Sequence, residues 1–345
     1  MREKLSKIPF IGRVNVDFFI NNAIYFIMLA IVTGVIVVEP RFFSFGNLNM
    51  ILNQASTRVI FALGMAGVII TGGVDLSLGR QVGLSSMFSA LLLQSPDFVR
   101  RIIPELPVFP LFAPIVGAMI VCALVSVLTG TLTAKFKIAP FIASLGMQLV
   151  IFSGISVFFN TIGRSTPISG LDQRFSRFAQ GFFTLTEGVR INYIILYALT
   201  CAILIWFIWN KTILGKNMFA IGGNPQAARV SGVNVPLNII VVYALAGLLY
   251  GFGGALEGAR TGSVTPSLGM GYELDAIAAC VIGSVSMRGG KGTIAGVVVG
   301  AILFQIVTFA LVFIGINPDY QFFILGAIII TTVIIDTRKD NRRGS

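Results

Sequence analysis

Few side chains in this sequence could do acid, base or nucleophilic chemistry, and the exceptions are narrowly placed. Only 11% of the 345 residues are charged and histidine is absent. That removes histidine-based proton transfer, catalytic triads and imidazole metal ligation. Cys122, Cys201 and Cys280 lie singly inside apolar runs, the placement of small packing residues rather than of a disulfide framework or metal site. Gly289-Gly290-Lys291-Gly292-Thr293 imitates a phosphate-binding loop but lacks the G-x-x-x-x-G-K-[ST] spacing and the adjacent hydroxyl. No P-loop of its own, no metal site and no cofactor site is expected.

Two groups of charge remain. Asp75 follows Gly72-Gly73-Val74 and precedes Leu76-Ser77. Such a carboxylate can cap the helix that follows, where the dipole favours it. It can also face a hydrophilic path and bind hydroxyls. Glu257, Arg260, Glu273 and Asp275 form a second polar cluster near one mouth of the molecule. Mutual pairing and contact with a polar substrate or its carrier both fit that placement. No Asp, Glu, Lys or Arg is expected near the middle of an apolar run, whereas ion-coupled carriers place their ionisable sites at mid-depth.

The largest polar interruption is KTILGKNMFAIGGNPQAARVSGVNVP at 211–236, between the apolar runs Ile191–Trp209 and Leu237–Tyr250. Asn224 is a good N-cap, Pro225 suits the first helical position, and Gly232 supplies a left-handed stop. The spacing predicts a helix of about two turns between them. So short a helix is marginal alone. The expectation is that it packs against another protein and that energy enters the molecule there.

The elements around these sites are membrane helices. The chain is 55% hydrophobic, its mean hydropathy is +0.89, and several runs exceed the ~18 apolar residues that mark a spanning helix. The alternating segments of a β-barrel do not occur. The fold class is therefore all-α and polytopic, with about ten transmembrane helices at 18–38, 57–70, 80–94, 111–132, 139–159, 191–209, 237–256, 273–287, 294–315 and 320–335. The expected organisation is a cytoplasmic segment 1–17, one transmembrane domain 18–335, and a cytoplasmic tail 336–345. Ten spans place Arg2, Lys4, Lys7, Arg13, Arg80, Lys135, Lys137, Lys211, Lys216 and Arg229 on the inner side, as the positive-inside rule prefers. The net charge of +11 is thus a topology signal, and no nucleic-acid partner is expected. The segment 160–190, with Pro167, Gly170, Phe175, Phe178 and Phe182, reads as a folded outer cap.

Weaker patterns complete the picture. GGVDLSLGR at 72–80 aligns with GSVSMRGGK at 283–291, and glycine-interrupted segments at matching places in two halves often mark a transport path. On that reading Gly72, Gly73, Asp75, Ser77, Gly283 and Gly290 border the path. Gly247-x-x-x-Gly251 and Gly292-x-x-x-Gly296-x-x-x-Gly300 give smooth helix faces for packing within the bundle or against a second copy. Asn53, Gln54, Gln148, Asn192 and Gln305 could line an uncharged path suited to carbohydrate.

TGGVDLSLG at 71–79, GKNMFAIGGNPQAARVSGVNV at 215–235 and IGSVSMRGGKGTIAG at 282–296, in this order and spacing, resemble the membrane-permease subunits of bacterial ABC importers for monosaccharides, the ribose and galactose group. The likeness runs over nearly the whole chain. RQVGLSSMFSALLLQS at 80–95, PISGLDQRFSRFAQGF at 167–182, YELDAIAAC at 272–280 and NPDYQFFILGAIII at 317–330 are most similar to its galactose/methyl-galactoside branch. The resemblance implies an inner-membrane homodimer in lipid, served by a cytoplasmic ATP-binding-cassette subunit that uses the ATP and by a periplasmic sugar-binding protein. It also implies that the capped helix is the coupling helix, with Gly223, Asn224, Pro225, Ala227, Ala228, Arg229, Ser231 and Gly232 carrying that role.

Overall fold

The computed structural model describes residues 23–161, 166–186, 189–317, 320–321, 323–331 and 334. The expected segments 1–17 and 336–345 lie outside the described residues. In hydrocarbon every main-chain donor and acceptor must be satisfied within the chain, so even Ile- and Val-rich runs become helices. The helices are α1 (Ala23–Val38), α2 (Phe45–Ile70), α3 (Leu78–Leu92), α4 (Phe112–Ala134), α5 (Pro140–Thr161), α6 (Gln173–Gln180), α7 (Tyr193–Lys211), α8 (Ile213–Gly223), α9 (Pro225–Val230), α10 (Val235–Thr261), α11 (Tyr272–Ile282) and α12 (Ile294–Phe313). Helices fall on all ten predicted segments. Among the described residues six of them, α2, α4, α5, α7, α10 and α12, are long and apolar enough to cross a membrane.

Two boundaries differ from the sequence reading. α2 begins at Phe45 rather than near residue 57, because Asn47, Asn49, Asn53 and Gln54 dilute an apolar pattern that the backbone nevertheless continues. Arg58 therefore lies in the middle of a 26-residue helix, and the expectation that span centres hold no charge fails there. The interruption at 211–236 holds two helices, α8 and α9, instead of one. Thr212 caps α8 by accepting from Gly215 N at 3.3 Å.

The chain divides into two compact units. In the smaller, residues up to Ser44 and from Ile306 onward, Phe42 is buried with its ring 6.1 Å from Phe309 and 5.5 Å from Phe313. The larger, Phe45–Gln305, is built around α10, which packs on α4, α3 and α2. Glycines make that packing close. A Cβ at Gly247 would meet Cys122 O, and one at Gly251 would meet the Met119 backbone. Gly296 and Gly300 lie likewise against Gly283 O and Ala279 O. Both small-residue stripes are thus used inside the chain. Gln305 of α12 bonds to Gln54 of α2 at 3.0 Å, and Asn49 of α2 bonds to Asn192, directly before α7, at 3.2 Å.

The segment between α5 and α7 is folded, as expected. Asp172 caps α6 by accepting from Arg174 N at 2.8 Å. The Arg174 guanidinium, 2.6 Å away, holds the Asp172 carboxyl below its usual value. Phe175 is fully buried beneath the helix. A hairpin, β1 (Phe182–Thr186) with β2 (Val189–Asn192), follows. Bridges Gln94–Leu171 and Ile168–Val264 stitch the segment to its neighbours.

Gly251→Ala is expected to push α10 off α4 and lower stability by about 1–3 kcal/mol, the usual cost of overpacking. Gly146→Ala, where a Cβ meets nothing within 4 Å, should leave the melting temperature unchanged or slightly higher. Thermal melts of the purified protein in detergent check the pair.

Candidate functional site

The capped helix forms as its sequence dictates. Asn224 Oδ1 accepts from Gln226 N and Ala227 N, each at 3.0 Å. Pro225 opens α9 without needing its missing donor, and Gly232 turns the chain at φ +86°. The expectation that α9 lacks a partner in its own chain needs correction. Ala228 is buried with Ile221 and Val235, which seats one side of the helix. The rest stays open: Asn224, Pro225, Gln226, Ala227, Arg229, Ser231 and Gly232 are exposed, and Val230 is 89% exposed. The six-residue helix thus presents an apolar tip, Val230, and one cation, Arg229, to solvent.

Directly before that helix, main chain packs on main chain. A Cβ at Gly222 would strike both the Ile70 carbonyl oxygen and Gly290 N. Gly290 N donates to Ile70 O at 2.9 Å, with Gly290 at φ +71°, and Gly289 lies against Gly222 O and Gly72 N. The end of α2, the end of α8 and the turn before α12 therefore meet at one junction. These are the three stretches that carry the signature motifs. Gly223, one residue on, has open space where its Cβ would be.

From this junction the chain folds back into the bundle instead of ending at its rim. Gly72 turns at φ +83°, Ser144 Oγ donates to Val74 O at 3.3 Å, and Asp75 and Ser77 are fully buried. Asp75 Oδ1 accepts from Ser77 N at 3.0 Å and Ser77 Oγ at 2.5 Å, which fixes the turn entering α3. The Gln81 amide extends the chain of bonds to Ser77 Oγ at 2.9 Å and Ser126 Oγ at 3.0 Å. Ser126 lies inside α4, so α3 starts at the level of a neighbouring helix's interior. The capping reading of Asp75 holds for one of its oxygens. The other, Oδ2, is buried and makes no hydrogen bond.

Arg80, placed among loop charges by the sequence, is instead 8% exposed in the first turn of α3. Its guanidinium lies 4.4 Å over the Phe152 ring and donates to Pro266 O at 3.4 Å. The 262–271 segment runs along α3 here, since Gly83 abuts Leu268 O and Gly79 abuts Gly269 O.

The predicted cluster of four charges is partly assembled. Glu257, fully buried, accepts from Arg260 Nη2 at 2.8 Å and Nε at 3.1 Å, and from the Tyr272 hydroxyl at 2.8 Å. Asp275 pairs with Arg58 at 3.3 Å. The Arg58 guanidinium lies 3.3 Å over the Tyr272 ring, which joins the two pairs into one balanced network of α2, α10 and α11. Glu273 stands apart, its carboxylate over Gly79. Arg58 and Tyr272 were missed from the sequence, although the one cation in the run 45–70 was a visible signal. Of the six path residues, Gly73, Asp75 and Ser77 face the polar interior behind the junction. Gly72 and Gly290 belong to the junction itself, and Gly283 abuts Gly296 O.

Residues 47–333 match the family described as the permease component of branched-chain amino acid transport systems. The chain is 46% identical over 323 residues to the galactose/methyl galactoside import permease protein MglC of Haemophilus influenzae, covering 94% of this chain and 96% of that one. Identity to the protein of the same name from Escherichia coli K12 is 48% over the same shares. The ribose import permease protein RbsC of that strain is 33% identical over 313 residues, 90% of this chain and 92% of its own. No solved structure matches.

Breaking the charge network on one side should be costly. Glu257→Gln leaves Arg260 and Arg58 with one buried anion fewer, and the expected loss is about 3 kcal/mol. Asp275→Asn, at a site where the side chain is 29% exposed, should cost clearly less. Melting temperatures of the two variants, with tryptophan fluorescence as readout, check the order.

Proposed function

This chain belongs to the family of permease components described for branched-chain amino acid transport systems, and on that premise we propose that it is the membrane subunit of an ATP-driven importer of a monosaccharide. The observation that carries the reading is the exposed, separately capped helix α9, joined through Gly222 and Gly223 to the two glycine turns. A protein that moved its cargo unaided would have no use for a docking helix wired to its interior. The relatives named for galactose and methyl galactoside are 46% and 48% identical, against 33% for the ribose protein, so galactose or a methyl galactoside is the preferred cargo over ribose.

In this reading the chain is a multi-pass protein of the bacterial inner membrane, with ten spans across 18–335 and both termini in the cytoplasm. ATP is hydrolysed by a separate cassette subunit, which receives α9 in a cleft. Pro225, Ala227, Arg229, Ser231 and the exposed Val230 present the contact surface, with Asn224, Gly223 and Gly232 setting the helix ends. Two copies of the chain enclose the path, and a periplasmic sugar-binding protein docks on the folded cap at 166–192. Closure of the ATPases moves α9, and the junction passes that movement to the turn bearing Gly73, Asp75 and Ser77. The binding protein supplies most of the selectivity, so the permease needs only weak, hydrated contacts with the sugar.

An ion-coupled carrier working alone is the rival class, and Arg58 at mid-helix is the feature that invites it. Arg58 is, however, matched by Asp275 and Tyr272, which is the arrangement of a structural pair.

Uptake of labelled galactose and ribose into proteoliposomes holding the chain, its ATPase and its binding protein tests the proposal. Arg229→Glu reverses the one charge of α9 and should cut ATP-driven uptake at least about tenfold, the effect of losing ~1.4 kcal/mol or more at an interface. Uptake that needs no ATPase and ignores Arg229→Glu would overturn it.

A further inference from the structure

The side chains of α10 carry a polar series that neither the motifs nor the charge pattern announced. Tyr243, Tyr250 and Glu257 recur every seven residues, which is nearly two whole turns, so they stand in one row along the helix. All three are fully buried. Glu257 is satisfied by Arg260 and Tyr272, but the two tyrosines are not. The Tyr250 hydroxyl makes no hydrogen bond, and the Tyr243 hydroxyl lies beside Thr133 without bonding geometry. Asp75 Oδ2 is equally unbonded, and both tyrosines lie within electrostatic reach of that carboxylate.

A buried polar atom without a partner calls for an explanation, and use by something outside the static fold is one. Three such atoms gather here, on the turn before α3 and on α10. The Tyr250 ring rests on Gly64 of α2, and the Tyr243 ring on Gly130 of α4 with its hydroxyl over Gly73. Ring against glycine is a smooth contact with no interlocking side chains. The row also starts at the turn that the glycine junction would move.

We propose that Asp75, Tyr243 and Tyr250 form a hydroxyl-binding station, closed in this conformation, that hands an uncharged polyol along α10 when the turn at Gly73–Ser77 separates from the helix. The inference rests on the sugar-importer reading and assigns that path its contacts. One carboxylate oxygen accepts from a sugar hydroxyl, and two phenols each donate to one and accept from another. No formal charge on the cargo is called for, since Asp75 is the only ionisable carboxylate in the group.

Tyr250→Phe removes one oxygen and leaves the ring packing on Gly64 in place. The experiment measures galactose uptake and ATP hydrolysis together in proteoliposomes of the complete complex, with a thermal melt of the same preparation. The wild-type uptake rate carries the importer reading; the ratio of sugar moved to ATP hydrolysed carries the station. The expected result is a ratio reduced about tenfold, one hydrogen bond's worth, with a melting temperature equal to or above wild type. Asp75→Asn, which puts an NH2 donor in place of one carboxylate oxygen, should reduce the ratio as well. A ratio within about twofold of wild type, or a melting temperature lowered by Tyr250→Phe, would overturn the station, because the hydroxyl would then be idle or structural.

Discussion

The molecule depends on one place where three stretches of backbone touch with no side chain between them. Gly290 N reaches Ile70 O at 2.9 Å only because Gly290 can sit at φ +71° and because Gly222 leaves room for both. A methyl group at any of these positions would have to occupy space already held by main chain. Side chains at the surface of a helix can re-rotamerise to absorb a displacement; stacked peptide planes cannot. The junction therefore holds α8, the end of α2 and the turn before α12 in close main-chain contact, with α9 following directly after α8.

That rigidity is set off against deliberate breaks elsewhere. The chain interrupts helix at 71–77 and at 283–293, leaving main-chain groups that the bundle must satisfy internally. It does so with Ser144 and Asp75 around the first break and with the Ile70 carbonyl at the second. The balanced network of Arg58, Glu257, Arg260, Tyr272 and Asp275 holds α2, α10 and α11 in register at some distance along the same helices. Such a network is a costly way to gain stability but an effective way to fix which faces meet. Packed glycine stripes on α10 and α12 supply the rest of the cohesion.

Much of this was legible in the sequence, and for reasons that can be named. Long apolar runs leave helix as the main solution in a membrane, so the elements followed from hydropathy. Asn224, Pro225 and Gly232 act locally, so the cap, start and stop of α9 were readable without tertiary knowledge. What the sequence hid is tertiary in origin. Asn53 and Gln54 read as path residues, and the bonds Asn49–Asn192 and Gln54–Gln305 stayed hidden because the partners are more than a hundred positions apart. The sequence counted Arg80 with the inner-side charges and gave Arg58 no role, because Asp275, Pro266 and the Phe152 ring that receive them are remote in the chain. The meeting of the three motifs was equally invisible, since a glycine that touches another backbone reads the same as one that merely turns. Asp75 was undecided between cap and path; one of its oxygens holds the turn at Ser77 and the other makes no hydrogen bond.

The central claim is that the glycine junction couples α9 to the interior. The most direct test compares two neighbouring substitutions, Gly222→Ala and Gly223→Ala, in the assembled complex, with ATP hydrolysis and sugar uptake read from the same vesicles. The first added methyl collides with Ile70 O and Gly290 N, and the second meets nothing within 4 Å. The account predicts that Gly222→Ala complexes still assemble and hydrolyse ATP but move little sugar, while Gly223→Ala moves far more sugar than Gly222→Ala. Equal uptake by both variants would contradict it, since the junction would then be a packing detail and the drive would reach the path by another route.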